Sequence, residues 1–174
     1  VTYLSDTVSW APKVYSYSVD MFATYFRDNN LNSSLIVPSQ EMTYVSASNT
    51  WINDFYTYGG KSALIQESEH VIESAEENTY LNLQNNDDKR FPTAFEALIA
   101  SIKNNTTKKL RIAIDEDKMT HKSTLKLQEE LDNCELIPSS DLLRLIRMVK
   151  TDDEISAMKA AADLNETACT KVCN

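Results

Sequence analysis

The spacing of apolar positions changes repeatedly along this chain, and each change marks a new element. Met21 to Phe26 is dense in apolar and aromatic residues and predicts a strand. Leu35-Ile36-Val37 is wholly apolar and is stopped by Pro38, the pattern of a strand buried on both faces. Ser39 follows as an expected N-cap, with Gln40-Glu41 in a first helical turn. Asp54 to Tyr58 predicts another strand, closed by Gly59-Gly60. Lys61 to Arg90 is ambiguous: His70 to Glu77 fits a helix, and polar Asn85 to Lys89 fits a loop. Thr93 then caps a helix running through Lys103, with Phe95, Leu98, Ile99 and Ile102 on one face.

From there the alternation is regular. Leu110 to Asp115 reads as a strand, His121 to Leu131 as a helix and Cys134 to Ile137 as a strand. Ser140 to Val149 reads as a helix with Asp141 near its start. This order predicts a right-handed parallel crossover and, with the rest, an α/β layered domain. A second helix opens at Thr151. Its hydroxyl can cap the helix while Glu154, three residues on, reaches back to the Thr151 N–H and closes a capping box. Asp152 and Asp153 add negative charge where the helix dipole is positive. Ile155, Met158, Ala162 and Cys169 form an apolar stripe with nothing after it to pack against, so the expectation is a cut chain whose stripe faces a missing partner. There is no internal repeat and no low-complexity segment.

Composition adds bounds rather than a function. The 174 residues make one domain, large enough for a real core. A net charge of −9 argues against a nucleic-acid partner, which needs a basic face. No apolar run is long enough to span a bilayer, and with no signal peptide the expected location is cytoplasmic. The first residue is Val, so the chain is expected to begin inside a longer protein. Cys134, Cys169 and Cys173 are too few, and odd in number, for a disulfide framework, and read as ordinary thiols. The sequons at Asn104 and Asn165 carry no meaning in a cytosolic protein.

Catalytic signatures are missing. His70 and His121 are far apart, and there is no His-Glu-x-x-His, no paired Cys-x-x-Cys and no Gly-x-Ser-x-Gly. Two glycines, both in one turn, exclude a glycine-rich phosphate loop. The run Asp115-Glu116-Asp117 at a strand end could coordinate a cation, but a solvated turn is the simpler reading. Asp152, Asp153 and Glu154 read as helix stabilisers rather than metal ligands. Trp10 and Trp51, both in polar loops, read as half-buried packing or as an aromatic lip at a partner surface.

The tail carries a resemblance. Arg147-Met148-Val149-Lys150-Thr151-Asp152-Asp153-Glu154-Ile155, continuing to Met158-Lys159-Ala160-Ala161, resembles a junction segment of the creatinase/prolidase/aminopeptidase P family. There an Arg-x-x-Lys-[Ser/Thr]-x-x-Glu-Ile segment ends a small N-terminal domain. Leu110 to Asp115 resembles the family's "rIGvD" strand, and Leu125 to Leu131 and Glu135-Leu136-Ile137 the helix and strand that follow. Val1-Thr2-Tyr3-Leu4-Ser5 resembles the "YLTG" strand end, with Ser5-Asp6 standing where the family has Thr-Gly.

The resemblance implies a three-layer α/β fold with a mixed, partly parallel sheet flanked by helices, of the ribonuclease H-like type. It implies a domain over residues 1–149, with 150–174 as a junction helix leading to an absent metallopeptidase domain. That domain would hold two divalent ions (Mn, Co or Zn) through ligands not carried by this chain. The implied role is the non-catalytic N-terminal domain of an Xaa-Pro dipeptidase or aminopeptidase, forming the homodimer and walling off the cleft for short proline-containing peptides. By position Ser5, Asp6 and Trp10 would lie at the lip of the partner's cleft. The alternatives are the N-terminal domain of a metal-free creatinase-like hydrolase, or of a catalytically dead protein-binding relative.

Overall fold

A computed structural model describes residues 20–27, 32–48, 50–60, 86–106, 110–132 and 134–173. The chain divides into two compact units, Val1–Leu110 with Glu129–Asn133, and Arg111–Gln128 with Cys134–Asn174. Each is taken by itself.

In the first unit β1 (Phe22–Phe26), β2 (Asn32–Pro38), β3 (Asp54–Tyr58) and β4 (Arg90–Phe91) form one mixed sheet in that order. β1 runs antiparallel to β2, while β2, β3 and β4 are parallel. Paired on both sides, β2 is the centre of the sheet, and Leu35, Ile36 and Val37 are wholly buried. Residues alternate between the faces. Leu35 and Val37 pack with Val45 and Ile52 and against Met21, Ala23 and Phe55. Val45 comes from α1 (Met42–Ser46), a short helix after the 3-10 turn Ser39–Glu41.

The other face is covered by α2 (Ala94–Asn105), which contacts all four strands. Its start is as expected: the Thr93 side chain accepts from the Glu96 N–H at 3.2 Å. Ala94, Ala97, Leu98, Ile99 and Ile102 are buried, whereas Phe95 is only half-buried. The contact between α2 and the sheet is partly polar. The Thr24 and Ser101 hydroxyls lie 3.2 Å apart, and the Asn104 amide donates to the Tyr56 hydroxyl at 3.2 Å. Ser34, also on this face, donates to Asp54 Oδ2 at 2.6 Å, and Lys89 pairs with Asp54 Oδ1.

Two expectations are corrected here. Ser39 is not an N-cap; it is the first residue of the 3-10 turn, and its hydroxyl donates to the Tyr58 carbonyl at 2.9 Å. Its oxygen accepts from Arg90 Nη1 at 3.1 Å, so a distant donor takes the place of the local N–H groups. Asn85 to Lys89 is not simply a loop: Asp87–Lys89 forms a 3-10 turn leading directly into β4. Gly59 has φ +91°, a backbone conformation that glycine adopts without a side-chain clash, and its N–H reaches the Phe91 carbonyl. The helix proposed for His70 to Glu77 lies outside the described residues.

In the second unit β5 (Arg111–Ile114) and β6 (Glu135–Pro138) are parallel, as the crossover reading requires. Between them runs α3 (His121–Glu130), capped by Thr120, whose hydroxyl accepts from the Ser123 N–H. α4 (Ser140–Met148) follows β6, and α5 (Asp152–Cys173) follows α4. The molecule is thus α/β, with a mixed sheet flanked by helices.

Candidate functional site

The densest polar constellation of the second unit lies where β5 and β6 end. α4 starts without a cap of its own: the Ser139 hydroxyl in the N-cap position donates to the Ile137 carbonyl at 3.1 Å and accepts from no N–H of the helix. The N–H groups there are met by Glu116, 23 positions before Ser139, although the Ser139 N–H is shared with the Ile114 carbonyl at 2.9 Å. Glu116 Oε2 accepts from Ser139 N–H at 2.8 Å and from Ser140 N–H at 3.0 Å. A carboxylate there also meets the positive end of the helix dipole.

Its neighbours complete the grip. The buried Ser140 hydroxyl donates to Asp115 Oδ1 at 2.7 Å and accepts from Asp117 N–H at 3.1 Å. One turn along α4, Arg144 pairs with Asp117 and, at 2.6 Å, with Asp141. Asp117 is the main reason the guanidinium is held above its usual range. The Asp115-Glu116-Asp117 run is therefore a clasp on α4, more than a solvated turn. Sequence reasoning missed Ser139, Ser140 and Arg144. The signal available was a serine pair directly after an apolar strand, opposite three acids after a parallel neighbour.

Hydrogen bonds from its own N–H, then from those of Ser140 and Ser139, hold the Glu116 carboxyl down at about 2 against an ordinary 4.5. A folded value below the unfolded one stabilises the fold fully above about pH 4.5, and the contribution is lost as pH falls toward about 2. Glu116→Gln, which cannot carry the charge, should therefore lower stability above about pH 4.5 and flatten the acid limb of a stability-against-pH curve in that window. A limb as steep as wild type would sink this assignment.

Beyond the clasp the polypeptide is uncovered. Leu142, Leu145, Ile146 and Met148 of α4 are at least half exposed. Val149, Lys150 and Thr151 link it to α5. The expected capping box is present: Thr151 N–H donates to Glu154 Oε2 at 2.7 Å, and Glu154 N–H to Thr151 Oγ1 at 3.2 Å. Of α5 through Val172, every residue except Glu154 is exposed, Ile155 and Met158 included.

A family model for the creatinase/prolidase N-terminal domain matches residues 3–149. The chain belongs to this family. No curated protein and no solved structure matches it. In this creatinase/prolidase N-terminal domain the match ends at Val149, at the link between α4 and α5. Ser5, Asp6 and Trp10, placed at a cleft lip by resemblance, lie outside the described residues, as does His70. Trp51 is half exposed and His121 exposed. Cys134 and Cys169 are free thiols, and burial raises the Cys134 pKa. Among the described residues no group of three or more His, Cys, Asp or Glu side chains could hold a metal ion, and no helix is long and apolar enough to cross a membrane. The Ser140–Asp115 pair is not a nucleophile beside a base: the hydroxyl is buried and engaged on both sides. The arrangement orients a helix.

Proposed function

We propose that this chain is the non-catalytic N-terminal domain of a metal-dependent Xaa-Pro dipeptidase or aminopeptidase acting in the cytoplasm. It contributes to a homodimer and walls off one side of the cleft, so that only short proline-containing peptides enter. The family match over residues 3–149 carries the reading. The junction-like sequence from Arg147 to Ala161 and the exposed Ile155 and Met158 support it, since in this reading α5 would pack its apolar positions against a catalytic domain. The two divalent ions of such an enzyme would activate water and polarise the scissile carbonyl. The described residues do not offer their ligand set, so no catalytic step is assigned to them. In this scheme Ser5, Asp6 and Trp10 line the partner's cleft, and excluding water and positioning the substrate are the domain's contributions to rate.

The purified 174-residue chain should be folded and should not hydrolyse Ala-Pro or Gly-Pro with Mn or Co added. Metal-dependent turnover by this chain alone would overturn the assignment. In the complete enzyme, Trp10→Ala should change KM or kcat for dipeptides, and unchanged constants would remove the cleft-lip role.

A further inference from the structure

We infer that the turn after β5 is a positioning device for the α4–α5 elbow: Asp115, Glu116 and Asp117 set the direction in which α4 leaves the β5–β6 pair, and the Val149-Lys150-Thr151 link hands that direction to α5. A helix cap alone needs one acceptor on one or two N–H groups. Here three consecutive acids take up two backbone N–H groups, one hydroxyl and one guanidinium of the β6–α4 segment. The attachments fall at Ser139, Ser140 and Arg144, one turn apart on the same helix. One attachment point would leave α4 free to swivel; two separated along its axis fix both tilt and rotation.

Little other packing does this job. Along α4, Leu143 is half-buried, but Leu142, Leu145, Ile146 and Met148 are exposed. The elbow itself is closed from both sides. Lys150 Nζ donates to the Arg147 carbonyl at the end of α4, and the Thr151–Glu154 box closes the start of α5. With one terminal carbonyl of α4 and the first N–H groups of α5 met by local side chains, the three-residue link is restricted. The inference concerns the direction of α5 and does not depend on the peptidase reading.

Backbone N–H residual dipolar couplings of the weakly aligned 174-residue protein test it. In wild type, one alignment tensor should fit β5, β6, α4 and α5. In a Glu116→Ala/Asp117→Ala variant the chemical shifts of α4 and α5 should stay helical, while their couplings fall to about half or less and those of β5 and β6 hold. A purely local cap would fray the first turn of α4 and leave α5 on the common tensor. Glu116→Gln, which keeps an acceptor, should restore the wild-type pattern. If the double variant does not fold, Asp117→Ala removes only the exposed pair to Arg144 and should still reduce the α4 and α5 couplings. A separate tensor for α5 in wild type, or a common tensor in folded variants lacking the clasp, overturns the inference.

Discussion

Leu35→Ala should lower the stability of the four-stranded unit by about 3 kcal/mol, a large effect for a single residue. Leu35 is wholly buried on the central strand, facing Val45 and Ile52. Truncation removes the transfer free energy of its methyl groups and leaves a cavity. With partners on both sides, β2 cannot shift easily to close it. A urea titration followed by far-ultraviolet circular dichroism should show a clearly lower midpoint. Leu145→Ala on α4 is the control: at 60% exposure it should change stability by no more than about 0.5 kcal/mol. A Leu35 variant as silent as the Leu145 variant would mean that the core is misplaced.

The second large effect is expected at Asp54. Ser34 is wholly buried and gives its hydroxyl proton to Asp54, so Asp54→Ala leaves a hydroxyl without its acceptor. A loss of about 1–3 kcal/mol is expected from that desolvation. The pairing with Lys89 is partly solvent-exposed and contributes little. Asp54→Asn separates the two contributions, since the amide oxygen can still accept from Ser34 while the charge is gone. Most of the stability should return with Asn. Equal losses for Ala and Asn would assign the role to the ion pair instead.

Which parts of the fold could be read in advance follows from how local their causes are. The apolar triplet Leu35-Ile36-Val37 announces a buried strand because no polar residue interrupts it. Thr93 and the Thr151–Glu154 box announce helix starts because donor and acceptor lie three residues apart. β4 escapes such reading: it is two residues long, Arg90 and Phe91, too short to show a period, and exists through its pairing with Thr57 and Tyr58. Ser39 misleads for the same reason, since its hydroxyl partners, Tyr58 and Arg90, are 19 and 51 residues away. The clasp joins Glu116 to residues 23 and 24 positions on, and no local window contains both halves. For Ser5, Asp6 and Trp10 position in a resembling sequence is the whole argument, because they lie outside the described residues.

The Thr24–Ser101 and Tyr56–Asn104 contacts index α2 along the sheet. Apolar contacts alone are non-directional and would tolerate a helix creeping lengthwise. Advancing α2 by one turn, about 5.4 Å, would separate both pairs at once. The hydroxyls and the amide therefore work like teeth on a rack: they select one longitudinal stop. A residue inserted at the Pro92-Thr93 connection would have to bulge there, because the helix cannot slide to absorb it.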